Sequence, residues 1–350
     1  MWDFYGGRPW ILRHTPRHGK VVEAGCGLGR YVFYLSRLGI DVEGLDLHEP
    51  AVVAVRHWAA MNGFECKFQV ADVTHLPYYD DSLSGYLSFG VIEHFQDGPA
   101  SALNEAYRVL RPGGVAIITT PSVSFSHTYF RARRRAKDIV KRLIGRPIVP
   151  PQFFQYWYTP RQLGSLVEAA GMRLVLCCGC DLKYAFVELG ATSEQWFRLA
   201  DALEQTPLAY WGAQAITVSI KLAAVMHCFL CGEKKVRVEQ WQAHYLPICG
   251  ACSQLPQARY YLRGRKSRAH AQWEYNPPVT QATTWTRSCH FCGQLVKPDP
   301  LFEDFGFRVP VCRECLRVPE RNLILSNEFL RFRWRPRKQT APGGVQEHEV

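Results

Sequence analysis

What this 350-residue sequence lacks narrows it first. No apolar run is long enough to cross a bilayer, which excludes a membrane-spanning helix. The opening Met1-Trp2-Asp3-Phe4-Tyr5 has no basic-then-apolar layout. It does not read as a secretory signal, and a cytoplasmic protein is the expectation. Acidic residues are in deficit: 31 Asp and Glu stand against 42 Lys and Arg, a net charge of +11. The imbalance is concentrated from residue 226 onward, where 19 basic residues face 11 acidic ones. Such a basic end suits an anionic partner such as nucleic acid, without sequence preference. The thirteen cysteines lack the layout of a disulfide scaffold. Eight of them form four Cys-x-x-Cys pairs beyond residue 227, which in a reducing compartment reads as metal binding. Cys26, Cys66, Cys177, Cys178 and Cys180 stand outside that pattern and read as buried apolar thiols.

What is present begins with a rhythm. Apolar runs predict strands over 20–24, 40–45, 66–70, 85–91 and 115–119. Between them, helical spacing predicts helices over 30–38, 51–61 and 99–110. Alternation of this kind predicts an α/β fold, a doubly wound and mostly parallel sheet. The rhythm breaks over 121–159, a basic stretch followed by the aromatic cluster Phe153-Phe154-Gln155-Tyr156-Trp157-Tyr158. A connection this long inside a compact domain is usually functional. Thr159-Pro160 then opens a helix that Gly171 ends. Strands over 173–178 and 214–222, with a helix over 192–203 between them, complete a first domain expected over 1–225. A cysteine unit at 226–256, a linker at 257–286, a second unit at 287–325 and a disordered tail at 331–350 are the expected remainder.

The segment Glu23-Ala24-Gly25-Cys26-Gly27-Leu28-Gly29 joins the first strand to the first helix. Glycines there let a ligand lie against the main chain. A dinucleotide fingerprint needs G-x-G-x-x-G, and this chain puts Arg30 or Val32 where the third glycine would stand. The nicotinamide reading therefore fails. Downstream stand Gly44-Leu45-Asp46, Ala71-Asp72-Val73 and Arg108-Val109-Leu110-Arg111-Pro112-Gly113-Gly114. Taken in order, these segments resemble the motifs of class I S-adenosylmethionine-dependent methyltransferases, in particular the broad small-molecule group, over roughly residues 20–222. The resemblance implies a seven-stranded Rossmann-like sheet and an enzyme using S-adenosylmethionine. It implies a donor site formed by Glu23, Gly25, Cys26, Gly27, Gly29, Asp46, Leu47, Asp72, Val73 and Phe89. Asp46 would accept from both ribose hydroxyls, Asp72 from the adenine amino group, and Glu23 would orient the donor's amino group. Two departures stand out: few residues precede the first motif to cover the donor, and Ser84 replaces an acid usual in the fourth motif. Tyr5 and Trp10 are candidates for part of that cover.

On the acceptor side, Glu93 and His94 follow the fourth strand, where related enzymes face the methyl group. His94 is a candidate base near neutral pH. The alternative is that both residues stabilise the turn into the next helix. The insert carries Arg131, Arg133, Arg134, Arg135, Lys137, Lys141, Arg142 and Arg146 in sixteen residues with one acid, Asp138. As a helix it is basic and amphipathic, suited to a phosphorylated or lipid-linked acceptor or to an anionic membrane. A solvated lid helix is the alternative.

Cys228, Cys231, Cys249 and Cys252 form one four-thiolate set, and Cys289, Cys292, Cys312 and Cys315 a second. Two Cys-x-x-Cys turns complete a tetrahedron around one Zn²⁺. The units share a template, with Pro247-Ile248-Cys249 matched by Pro310-Val311-Cys312. Each is expected to be a small treble-clef or ribbon module holding one structural zinc ion. Aromatic and basic residues interleave around them, which suits single-stranded nucleic acid or a protein partner. Three functions stay open: methyl transfer to a small or lipid-linked acceptor, RNA methylation with the zinc modules holding RNA, and a donor-binding adaptor without catalysis.

Overall fold

The computed structural model describes residues 8–148, 152–204, 206–238 and 244–262. A short helix, α1 (Arg8–His14), leads into β1 (Val21–Ala24), α2 (Arg30–Arg37), β2 (Val42–Asp46), α3 (Glu49–Met61) and β3 (Lys67–Val70). Then come β4 (Leu83–Phe89), α4 (Ala100–Val109), β5 (Leu110–Pro121), α5 (Phe125–Leu143) and α6 (Pro160–Ala169). β6 (Arg173–Cys180), α7 (Leu182–Glu188), α8 (Glu194–Leu203) and β7 (Gln214–Ile220) close the sheet. The strand order is β3-β2-β1-β4-β5-β7-β6. The first five strands run parallel, and β7 is antiparallel to β5 and β6. The chain reverses its direction of winding between β1 and β4, which opens a crevice beyond their carboxyl ends. This is the doubly wound Rossmann-like methyltransferase sheet that the motifs implied.

Parallel strands covered on both faces are buried along their length, and β1 and β4 are, although β4 carries Ser84, Gly85 and Ser88 among its apolar residues. Helices α2 and α3 cover one face, with Phe33, Leu35, Val55 and Trp58 packed on it. α4 and α6 cover the other, with Leu103, Ala106, Leu163 and Val167. α6 starts on a complete capping box: Thr159 accepts from the Gln162 N–H, and the Gln162 side chain accepts from the Thr159 N–H.

Three elements depart from the sequence expectation. β5 starts at Leu110, directly after α4, because Leu110 pairs with Leu83 before the Arg111–Gly114 irregularity. α7 was not expected; Asp181, in a left-handed conformation, caps it. α1 was also not expected, being too short for a clear helical period.

Beyond β7 a hairpin of β8 (Val225–His227) and β9 (Lys234–Arg237) is followed by the one-turn helix α9 (Gly250–Ser253). This part packs on the α1–α2 face rather than standing apart. Met226, Phe229, Leu246, Ile248 and Tyr261 belong to the same buried cluster as Ile11, Phe33 and Leu87. The second cysteine unit, most of the linker and the tail lie outside the described residues.

Candidate active site and metal centre

The turn after β1 is held from below. Gly25 and Cys26 both donate to the Leu45 carbonyl, at 2.7 and 2.8 Å. Gly25, Gly27 and Gly29 all have positive φ, but for different surroundings. A Cβ on Gly25 would fall 2.3 Å from the Val91 side chain, and one on Gly29 would fall 2.3 Å from the Phe68 ring. A Cβ on Gly27 would meet nothing within 4 Å. Gly25 and Gly29 are thus glycines because the turn packs tightly, whereas Gly27 opens onto free space. That open cradle is what a ligand lying against the main chain requires.

Asp46 frames one side. Its Oδ2 accepts from the Gly27 N–H at 2.7 Å and its Oδ1 from the His48 N–H at 2.8 Å. The carboxylate is therefore fixed in plane at the mouth of the turn. Leu47 follows it, 69% exposed, an apolar side chain with no cover among the described residues. Asp72 stands exposed just after β3, one strand beyond Asp46, and its Oδ1 accepts from the Thr74 N–H and hydroxyl at 2.8 and 2.7 Å. Those bonds hold its carboxyl below the usual range. Val73 is buried in the core beneath. Phe89 is half-buried, its ring 4.7 Å from Tyr31.

Glu23 and Cys26 do not open onto the cradle. Glu23 is 4% exposed and accepts from the Val32 N–H in the first turn of α2. Burial pushes its carboxyl up to about 8, against the opposing pull of Arg30 and that N–H. Glu23 thus steadies the helix that the turn feeds. The Cys26 sulfur packs toward Gly44, and burial raises its thiol well above the ordinary range.

Glu93 and His94 sit on a 3₁₀ turn after β4. The Glu93 side chain is buried and its Oε2 has no partner, and burial pushes the carboxyl up to about 8. Its backbone carbonyl accepts from the Tyr156 N–H at 2.9 Å. The His94 Nδ1 is 3.0 Å from the Phe154 carbonyl, and the two rings meet edge to face. Both residues therefore hold the returning arm of the 121–159 insert. That arm is closed at its base by the Ser122–Tyr158 bridge. Ser84 lies elsewhere: its hydroxyl donates to the Lys20 carbonyl at the amino end of the sheet, away from the turn. Trp10 stacks on His14 within α1, and Tyr5 lies outside the described residues.

Sequence reasoning missed three supports. Val91 and Phe68 form the floor of the glycine turn, and Thr74 aims Asp72. It also missed what Arg108 does within its motif. The guanidinium donates to both Glu105 oxygens, to Asp80 and to the carbonyls of Leu76 and Tyr78. It clamps the loop that carries Asp72. An Asp-x-Thr spacing or an acidic partner spaced at i−3 offers only a weak signal for such contacts.

The sulfurs of Cys228, Cys231, Cys249 and Cys252 lie within 4.8 Å of one another. A tetrahedral zinc site with bonds of about 2.3 Å sets sulfurs about 3.8 Å apart, and Cys231 and Cys249 are at 3.9 Å. The first pair sits in the β8–β9 hairpin with Gly232 at positive φ, and the second opens α9. Burial raises the Cys249 thiol, but hydrogen bonds from its cysteine neighbours outweigh it and leave the thiol at about 7. The donor set fits one zinc ion. The unit lies at the amino end of the strands: Gly113 and Gly232 abut His227 and His18, and His227 Nδ1 is 3.0 Å from the Pro112 carbonyl. The glycine turn is at the opposite end. The residues Cys289, Cys292, Cys312 and Cys315 lie outside the described residues.

Residues 22–118 match the family model described as a methyltransferase domain. A protein of Mycolicibacterium smegmatis, named a "probable S-adenosylmethionine-dependent methyltransferase", is 36% identical over 121 residues, covering 33% of this chain and 43% of that one. Ubiquinone biosynthesis O-methyltransferase of Ruegeria pomeroyi is 26% identical over 162 residues, covering 45% and 60%. The solved structure of an S-adenosylmethionine-dependent methyltransferase from Methanosarcina mazei aligns over 61% of this chain and 97% of that one, at 16% identity and a TM-score of 0.45. The chain spans less than half the length of the first curated relatives it matches. The matched segment is similar to a methyltransferase domain, and its relatives support an enzyme.

Proposed function

We propose that this chain transfers a methyl group from S-adenosylmethionine to a small-molecule or lipid-linked acceptor. The open cradle at Gly27, framed by the fixed carboxylate of Asp46 and by Asp72, is the observation that carries the reading. When bound, the donor supplies an electrophilic methyl group on a sulfonium. The chain's part is to hold and align. Gly27 leaves the main chain bare, and Asp46 and Asp72 present acceptors after the neighbouring strands β2 and β3. Leu47 offers an apolar platform. Glu23 works through the α2 backbone. His94 acts here as a positioning residue, tying the insert to the turn after β4 by its bond to the Phe154 carbonyl.

The four-thiol unit takes one Zn²⁺ as a structural ion, since four protein ligands leave no open position. Its seat at the amino end of the strands leaves acceptor selection to the insert, which favours the small or lipid-linked acceptor over an RNA held by this unit. The test is incubation with isotope-labelled donor and fractionated extract. Label in small molecules or lipids is the expected outcome. Label in RNA alone, or donor binding with no labelled product in any fraction, overturns the reading.

A further inference from the structure

Among the described residues, the insert leaves one large surface without a partner. α5 is fixed to the body through its first turn. The Ser124 hydroxyl accepts from the His127 N–H at 3.0 Å, Ser126 donates to Glu188 at 2.6 Å, and the His127 ring lies 4.7 Å from Trp157. From Thr128 to Ile148 every residue but the half-buried Asp138 is exposed. A helix of this length spans about 28 Å, so most of it stands clear of the body.

The free part is sorted by face. At helical spacing Tyr129, Ala132, Ala136, Ile139, Val140 and Leu143 fall within an arc of about 100°. Arg131, Arg134, Arg135, Lys137, Lys141 and Arg142 take the rest of the circumference. Ile139, Val140 and Leu143 are 61, 55 and 80% exposed. The single acid, Asp138, is already paired with Arg134 at 3.9 Å. The returning arm adds the exposed Phe154 and Trp157 beside the helix root.

We propose that α5, with the aromatic arm beside it, docks on an anionic lipid surface. The apolar stripe enters the boundary between headgroups and acyl chains, and the flanking arginines and lysines meet lipid phosphates. Charge complementarity selects this occupant. A nucleic acid would use the cations and leave the aliphatic stripe in water. A protein groove without an acidic rim would bury the stripe and leave the cations unmatched. An anionic bilayer satisfies both faces at once. The root of α5 follows the carboxyl end of β5, on the same edge of the sheet as the glycine turn. Docking therefore presents the crevice to the bilayer and makes a lipid-linked acceptor the substrate class, a step that rests on the methyl-transfer reading above.

The test uses the full chain and vesicles of phosphatidylcholine, with and without phosphatidylglycerol. Sedimentation is expected only with the anionic vesicles. The double substitution Ile139→Ser with Leu143→Ser, both on solvent-exposed positions, should weaken it about tenfold or more. Circular dichroism and donor calorimetry should not change. Equal binding to neutral vesicles, or anionic binding untouched by the double substitution, overturns the proposal. So does displacement from vesicles by single-stranded RNA with the substituted protein binding RNA as well as the parent. Vesicle binding is read without donor, so failure of the methyl-transfer reading shows separately, as absent donor binding in calorimetry.

Discussion

At Gly27 an added methyl group has room, and at Gly29 it does not. Gly27→Ala is expected to cost the fold only about 1 kcal/mol, for a left-handed backbone, while filling the space against the main chain. Donor affinity should fall at least about tenfold, with the melting temperature nearly unchanged. Gly29→Ala drives a Cβ into Phe68 and should lower the melting temperature by several degrees, on the order expected for overpacking. Calorimetry and thermal melts on the same two proteins separate these effects. Glu93 makes a second residue-scale prediction. Its folded-state carboxyl lies at about 8 against an ordinary 4.5. Between those values the folded chain holds more protons than the unfolded one, so its contribution to stability falls as pH rises through that window. Glu93→Gln should flatten the decline in urea stability between about pH 5 and about pH 8. Glu23 and Asp181 are raised in the same direction, so part of the slope should remain. The glycine spacing and the two acids after β2 and β3 were legible in the sequence because each sits at a fixed place relative to a strand end. Val91 and Phe68 were not, because what makes them matter is a side-chain contact across the sheet.

The loop between β3 and β4 is held by an element it does not belong to. Arg108, near the end of α4, reaches two of the loop's carbonyls and Asp80 while braced by Glu105. Only a planar fork with five donors makes all of these bonds at once, and a lysine cannot replace it. Arg108→Lys should therefore loosen the loop and weaken binding of adenosine-containing ligands several-fold, with little effect on the domain's overall unfolding. Titration with S-adenosylhomocysteine and with methionine alone checks this, since only the first should suffer. Strands and long helices were readable from their apolar spacing. α1 and α7 were not, because seven residues give fewer than two full turns of any period. The early start of β5 was hidden by the Pro-Gly-Gly run, which marks a turn in most chains and an irregular strand edge in this one.

Across the whole molecule, the four-thiol unit is built against α1 and the amino end of the strands. The Tyr261 hydroxyl donates to the Arg13 carbonyl at 2.9 Å, and His14 Nε2 lies 3.3 Å from the Tyr245 hydroxyl. On the zinc reading proposed above, losing the metal should therefore be felt in the Rossmann-like domain itself. Cys249→Ser, or treatment with a strong chelator, is expected to lower the melting temperature of the whole described body rather than melt a separate small transition. Differential scanning calorimetry with zinc analysis decides between one transition and two. The cysteine spacing grouped the four thiols of this unit and left a treble clef and a ribbon both open. It could not give the seat, because packing between segments more than 200 residues apart leaves no local pattern.

That seat has a consequence for how the protein is made. The packing of α1 is finished only by residues as late as Tyr261, which bonds the Arg13 carbonyl and meets the His14 ring edge-on. On a ribosome the first helix must wait, only partly covered, until Tyr245 and Tyr261 have left the exit tunnel. A fragment ending at Leu222, where the motif resemblance stops, contains every proposed donor contact and lacks one wall. Such a fragment should emerge aggregation-prone, and chaperone demand during synthesis should drop sharply once the chain passes Tyr261.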